Sequence, residues 1–352
     1  MLSEKKSLPI NELQVGMISA SNIFFEDKVL LSDGFAITDS ILYKLKRIYI
    51  IDKVEVYSDT DPTEVLRIKS KTVNEIESTF NDFSGNLATI FNTMSILRVP
   101  AIEEVRTFSR RIQEEFHSVG SVIRNIIFYG SGNDQIYRHT INVTAISYIL
   151  GKWIGLDSKE LNLLTYSAIL HDFGKVKLNK SILYKKGKLT TNEVEIYKTH
   201  PLLGYNFVKQ IPYLDPSVSQ SVLMHHERMD GSGYPLHVKG DKIPRFAKII
   251  AIADLFDQVN SNRYSKNING PFEALKAIQD EGYLKLDNEY CNTFLKGIVN
   301  YYMGENVLLS NNQSYKVIKI HLNDIAKPLL IDSKGFLDFT KEKDLYIKKL
   351  II

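Results

Sequence analysis

His225-His226-Glu227-Arg228-Met229-Asp230-Gly231-Ser232-Gly233-Tyr234-Pro235 is the stretch on which the reading of this chain turns. Two adjacent histidines run into a glycine-rich turn, with His171-Asp172 and His200 upstream and Asp254 downstream. Packing alone gives no reason for such a set. Imidazole is the commonest metal ligand, and imidazoles mixed with bridging carboxylates suit a two-metal hydrolytic centre. His171 and Asp172 end an apolar helical run through Leu163, Leu164, Ala168 and Leu170, and Asp254 follows Ile249-Ile250-Ala251-Ile252-Ala253. A buried carboxylate beside a buried imidazole is costly unless a cation or hydrogen bonds compensate. For a lone buried acid a salt bridge or a helix cap is the ordinary explanation; the other candidate ligands here favour a metal.

Working outward, 352 residues are enough for a sizeable core and for two or three domains. Hydrophobic content of 44% and charged content of 24% exclude wholesale disorder. The 44 basic and 41 acidic residues leave a net charge of +3, which argues against DNA, RNA or broad membrane-surface binding but allows a local basic patch around an anionic substrate. Cys291 is the only cysteine, so no internal disulfide exists and a reducing compartment fits. Met1 to Pro9 lacks an apolar signal core, and no apolar run approaches the ~20 residues a membrane helix needs. A cytoplasmic location without membrane insertion is the expectation.

The fold class expected is mainly α, with a small N-terminal α+β domain and a short C-terminal β appendage. In residues 1–60, strands are expected at Ile18–Phe25, Lys28–Leu31 and Val54–Tyr57, with helical spacing over Thr38–Ile48 capped by Thr38 or Asp39. Asp59-Thr60-Asp61-Pro62-Thr63 reads as a linker. Residues 61–128 carry connecting helices, with apolar positions Ile76, Phe80, Leu87, Ile90, Phe91 and Ile96, then Ile102, Val105, Phe108 and Ile112, punctuated by Pro100. Residues 129–303 read as helix after helix. Asp157 with Glu160 and Thr190 with Glu193 are capping boxes, and Asp215-Pro216 and Pro244 open further helices. Residues 304–352 hold strands at Val307–Leu309, Tyr315–His321 and Pro328–Ile331 around a turn at Asn311-Asn312. His117 stands alone and reads as a surface or packing histidine.

The combination of His139, His171-Asp172-Phe173-Gly174-Lys175, His200, the quoted string, and Ala253-Asp254 through Arg263 resembles the HD-GYP family of cyclic dinucleotide phosphodiesterases, over about residues 130 to 300. The resemblance implies an HD-domain helical bundle at 129–303, preceded by a regulatory or dimerising unit. It implies two divalent ions. One is held by His139, His171, Asp172 and Asp254, the other by Asp172, His200, His225 and His226, with Asp172 bridging. Such six-coordinate mixed N/O sites favour iron or manganese over tetrahedral zinc. Some family members bind a third metal through a glutamate one turn before the first histidine; Gln135 stands there, so two metals are expected. Asp172 and Lys175 are the catalytic residues implied, with Lys175 on the scissile phosphate. Gly233, Tyr234 and Pro235 form a loop presenting an exposed aromatic near the guanine base, and the same loop is a docking surface for a diguanylate cyclase-type partner. Arg263 and Lys266 are implied to contact phosphate and guanine, although Tyr264 and Ser265 replace the family's proline and tyrosine between them. The activity implied is hydrolysis of cyclic di-GMP to linear pGpG. A non-catalytic nucleotide receptor and a hydrolase of another cyclic dinucleotide such as cyclic GMP-AMP are the alternatives, and a homodimer is among the assemblies expected.

Overall fold

The computed structural model describes residues 5–14, 17–21, 23–25, 28–31, 37, 42, 45–46, 53–57, 73–97, 102–116, 119–134, 136–185, 187–261, 271–333, 335–339, 342 and 345–351. The chain divides into two compact units, Met1–Ile76 with Glu115–Val122, and Glu77–Glu114 with Ile123–Ile352.

The first unit holds β1 (Lys5–Pro9), β2 (Ile23–Phe25), β3 (Lys28–Leu31) and β4 (Lys53–Tyr57), paired antiparallel as β1 with β4 and β2 with β3. Along β4, buried Val54 and Val56 alternate with exposed Lys53 and Glu55, the period of two that a one-sided sheet requires. The buried pair joins Leu8, Leu13, Ile23, Ile37 and Leu45 in a small core. The strand expected over Ile18–Phe25 is interrupted. Ser19 bridges Val56, its hydroxyl donates to the Ser21 carbonyl at 2.7 Å, and β2 begins only at Ile23. A serine that turns onto nearby backbone in this way competes with the ladder. β1 was not expected, because its lysine-rich sequence carries no apolar alternation. Of Thr38–Ile48, Leu42, Leu45 and Lys46 are described and are helical. The proposed caps Thr38 and Asp39, the linker Asp59–Thr63, Pro100 and His117 lie outside the described residues.

The long helix α1 (Val73–Leu97) and α2 (Ile102–Glu115) follow the expected helical period. Phe83 of α1 meets Phe108 of α2 edge to face at 5.6 Å, and Phe91 meets Phe173 at 5.2 Å. Full burial of each such ring is worth about 1.5–3 kcal/mol. One expected core position fails: Ile96 is 75% exposed, and Met94 takes the buried place on that face. α3 (Val119–Tyr129) completes the connecting helices.

Next come α4 (Tyr137–Trp153), α5 (Ser158–Leu170), α6 (Lys180–Leu183), α7 (Thr191–Tyr197), α8 (His200–Val208), α9 (Pro216–Met224), α10 (Arg245–Asn260), α11 (Pro271–Gly282) and α12 (Asn288–Ile298). Local signals set their starts. Asp134 accepts the backbone N–H groups of Ile136, Tyr137 and Arg138 at 2.8–3.0 Å and fixes the entry to α4. Both capping boxes form, Asp157 with Glu160 and Thr190 with Glu193, and Asp215 caps α9 through the Ser217 N–H. α10 is buried nearly all round and packs on α4, α9 and α11. Its sequence shows it as the apolar run ending at Asp254.

The chain ends in a five-stranded antiparallel sheet, β5 (Asn306–Leu309), β6 (Ser314–His321), β7 (Asp324–Asp332), β8 (Gly335–Asp338) and β9 (Ile347–Ile351), in the order β8-β7-β6-β5-β9. The two edge strands β8 and β9 were not expected from sequence. α11 packs on β7, and Gln279 Nε2 donates to the Leu322 carbonyl, so the sheet belongs to the same compact unit as the helices. The architecture is mainly α with small sheets toward both ends, as expected.

Candidate metal centre

Five helices and a short turn bring seven buried side chains together. His139 projects from the first turn of α4. His171 ends α5, and Asp172 opens the short 3-10 turn Phe173–Lys177. His200 starts α8, His225 ends α9 with His226 after it, and Asp254 lies in the middle of α10. All seven are at most 7% exposed. Gly174 allows the assembly: a Cβ there would run into the His200 carbonyl, so only glycine lets the turn lie against the start of α8.

The donor atoms form two groups, Asp172 with His200, His225 and His226, and His139 with His171 and Asp254, the atoms of each lying within 4.8 Å of one another. Asp172 faces both. Its Oδ1 lies 3.3 Å from His200 Nε2 and 3.8 Å from His225 Nε2, while Oδ2 lies 3.3 Å from His171 Nε2 and 3.4 Å from His139 Nε2. Asp254 Oδ1 is 3.0 Å from His139 Nε2, and its Oδ2 is 3.6 Å from His226 Nδ1.

The imidazoles are aimed from behind. Nδ1 of His171, His200 and His225 sits 2.7–2.8 Å from the carbonyls of Ala168, Tyr197 and Val222, each three residues earlier. A carbonyl only accepts, so these rings carry their proton on Nδ1 and turn a bare Nε2 inward. His171 Nε2, His225 Nε2, Asp172 Oδ1 and Asp254 Oδ2 find no hydrogen-bond donor or acceptor although buried. His200 and His226 oppose their Nε2 atoms at 3.2 Å. Unsatisfied buried polar atoms each cost about 1–3 kcal/mol, and a cluster of them around one space is what cations would relieve.

The charge states agree. Burial acts against the Asp172 carboxylate, but His171, Lys175 and His200 outweigh it and hold its pKa well below the ordinary range. Asp254 is likewise held down against burial by His139 and His226. Burial, then neighbouring histidines, pushes His225 and His226 well below the usual imidazole range, and burial lowers His200. Ionised acids and neutral imidazoles are the ligand states a divalent cation needs. Lys175 is 3% exposed and donates to Asp172 Oδ2 at 2.5 Å. Burial works to lower its pKa, and Asp172 reverses that and pushes it up. Its ammonium therefore sits inside the cluster, the side expected from the Gly174 turn.

The glycine loop needs one correction. Tyr234 was expected to be exposed; it is half-buried, its ring stacked on His226 at 4.6 Å and 24°. Gly233 is buried, and a Cβ there would strike the His226 carbonyl and the Glu227 backbone. Glu227 holds the loop by accepting the N–H groups of Leu236, His237 and Val238 at 2.6, 3.1 and 3.2 Å. The sequence assigns Glu227 no role, and it does not single out Gln258, which donates to Asp254 Oδ1 at 2.6 Å. Gln258 lies four residues after Asp254, one helical turn on, which is the signal that would have found it. Asn142 and Asp257, behind His139, carried the same kind of signal. Gln135, Arg263 and Lys266 lie outside the described residues.

Residues 122–290 match the family model for the HD domain. The chain is 33% identical over 153 residues to the cyclic di-GMP phosphodiesterase response regulator RpfG of Xanthomonas campestris, covering 43% of this chain and 40% of that protein. It is 34% identical over 173 residues to a cyclic di-GMP phosphodiesterase of Thermotoga maritima, covering 46% and 47%. A Vibrio cholerae protein named 3′3′-cGAMP-specific phosphodiesterase 2 is 29% identical over 177 residues, covering 50% of this chain and 31% of that protein. The chain thus spans about half, or less, of the length of these curated relatives. Among solved structures, the HDG"Y"P protein Bd1817 of Bdellovibrio bacteriovorus shares the fold, with a TM-score of 0.52 at 17% identity, over 84% of this chain and 100% of that one. The resemblance read from the sequence is thereby shown, and the chain carries an HD domain.

Proposed function

We propose that this chain, whose residues 122–290 form an HD domain, is a metal-dependent phosphodiesterase that hydrolyses a 3′–5′ linkage of cyclic di-GMP to give linear pGpG. The observation that carries the reading is Asp172, whose two oxygens face two separate groups of imidazoles in one buried cluster. Two divalent ions fit these groups, His139, His171 and Asp254 on one side and His200, His225 and His226 on the other, with Asp172 shared. Mixed nitrogen and oxygen donors with positions left open favour iron or manganese. Such a pair, when bound, supplies Lewis acidity and an activated water at neutral pH.

The chain's own residues do the remaining work. Lys175 places a buried positive charge beside Asp172, where charge develops on the phosphoryl oxygens. Gly233, Tyr234 and Pro235 hold an aromatic ring over His226, a platform on which a base can stack. Arg263 and Lys266 supply phosphate and guanine contacts on the strength of the sequence resemblance. The same resemblance supports a diguanylate cyclase-type partner at the Gly233-Tyr234-Pro235 loop, beside which Leu236 is 50% exposed. It also supports a homodimer. A cytoplasmic location rests on the single cysteine, and no described helix is long and apolar enough to cross a membrane.

A hybrid cyclic GMP-AMP substrate is the second reading. It is favoured by Tyr264 and Ser265, which replace the family's proline and tyrosine, and by the relative named for cGAMP. A non-catalytic receptor is less favoured because the ligand set is complete.

Gln135, a neutral amide four residues before His139, denies the site a third carboxylate-held metal. Linear pGpG then has fewer anchors for its terminal phosphate and accumulates. A chromatographic time course with cyclic di-GMP and cyclic GMP-AMP tests both product and substrate, with Gln135→Glu expected to raise GMP formation. Rapid, complete conversion to GMP by the wild type would sink the two-metal reading.

A further inference from the structure

We infer that Asp257 is a positioning residue for His139, and that a chain of hydrogen bonds begun at Arg138 fixes which nitrogen of His139 is bare. The inference rests on the metal reading above and adds a residue to it. Asp257 Oδ2 is 2.7 Å from His139 Nδ1, and it accepts the Ser131 hydroxyl at 2.5 Å. Asp257 Oδ1 accepts Asn142 Nδ2 at 2.6 Å, and Asn142 Oδ1 accepts Arg138 Nε at 3.1 Å. Arg138 in turn gives its two terminal nitrogens to Glu77 of α1 at 3.1 and 2.8 Å, with Asn125 Oδ1 at 2.7 Å. Arg138, His139, Asn142 and Asp257 are each at most 5% exposed, so water does not scramble the order.

The polarity of this chain follows from valence. A guanidinium has donors only, so Asn142 must turn its oxygen to Arg138 and its NH₂ to Asp257. Both oxygens of Asp257 already accept, from Asn142 and from Ser131, and a carboxylate has no donor to offer, so His139 carries its proton on Nδ1. Its Nε2 is then a lone pair aimed at the space between Asp254 and Asp172, 3.0 and 3.4 Å away. A carboxylate behind a ligating imidazole fixes its tautomer and raises its basicity. His171, His200 and His225 rely on carbonyls for this; His139 relies on a carboxylate whose orientation is set from α4 and α1. The metal held by His139 is therefore the one that depends on this network.

Asp257→Asn reverses one link. With its NH₂ toward Asn142, two donors collide; with its NH₂ toward His139, the proton moves to Nε2 and that nitrogen is lost as a ligand. The double change Asp257→Asn with Asn142→Asp restores the order. The new carboxylate on α4 accepts from both Arg138 and the new amide on α10, and the oxygen of that amide again accepts from His139. Calorimetric titration of the metal-stripped full chain with Mn²⁺ is expected to show two sites in the wild type. In Asp257→Asn, one site should weaken about 10- to 100-fold while the other keeps its affinity; in the double variant, both should bind again. Equal affinity at both sites in Asp257→Asn, or a folded double variant no better than the single one, overturns the inference. Long-range ¹H–¹⁵N correlation spectra of the metal-free wild type, with His139 assigned by its loss in His139→Gln, decide it even if the variants do not fold. A proton on Nδ1 is expected, and one on Nε2 contradicts the proposal. A wild-type titration without heat would sink the metal reading instead, and the tautomer would still be read.

Discussion

At the scale of single residues, Asp172 and Lys175 are adjacent in space and different in kind. Asp172 faces both groups of imidazoles, so Asp172→Ala is expected to abolish hydrolysis and to strip both metals, measured by elemental analysis beside an activity assay. Lys175 is no ligand, since an ammonium has no lone pair. Lys175→Met should therefore keep the metal content and lose about 10²-fold or more in turnover, the cost of removing one charged group that stabilises the transition state. Normal turnover in the lysine variant would remove its catalytic role; metal loss in it would make the lysine structural. The seven clustered residues were legible in the sequence because histidines and acids ending apolar runs have no cheap structural explanation. Asp257 and Asn142 were not, because their meaning depends on α4 and α10 meeting although the two are 115 residues apart; Gln258, one turn after Asp254 on the same helix, carried only a spacing signal. Tyr234 was legible as a loop aromatic, whereas its turn onto His226 depends on Glu227 gathering three backbone amides.

At the scale of elements, the turn Phe173–Lys177 against α8 is the tightest joint in the site. Gly174→Ala puts a methyl group into the His200 carbonyl and should cost about 1–3 kcal/mol of stability. It should also weaken the metal group containing His200, and thermal unfolding with metal titration reads both; an unchanged variant would show that the joint has slack. Thr190→Ala removes a capping box far simpler in consequence, worth about 1 kcal/mol, with no change in metal affinity. Helix starts were readable from the sequence because a cap is a local motif: Asp157, Thr190 and Asp215 all act as read. The strands β1 and β9 were not, because they are five residues long and take their partners from distant chain, and β8, paired with its neighbour β7, is only four residues long and shows too short an apolar pattern to read. Ile96 shows the same limit on a helix: its spacing fits the apolar face, yet at the last turn of α1 it is left in solvent.

At the scale of the whole molecule, seven buried histidines and carboxylates crowded together carry a cost that bound metal is expected to offset. Each site saturated at one hundred times its Kd adds about 2.7 kcal/mol to the folded state. Chelation is therefore expected to lower Tm by several degrees, and adding back Mn²⁺ or Fe²⁺ to restore it; a Tm indifferent to metal would mean the cluster is no metal site. The HD domain, between small sheets toward both ends of the chain, was visible in the sequence because its motif residues span it. The division into compact units was less so, since Glu115–Val122 groups with Met1–Ile76 although Glu77–Glu114 separates them in the sequence. The central claim is tested most directly by incubating the purified, metal-loaded chain with cyclic di-GMP and separating the products over time, beside Asp172→Ala. Steady conversion to pGpG by the wild type and none by the variant is the expected result; intact cyclic di-GMP with the metal-loaded wild type, or equal conversion by the variant, would contradict it.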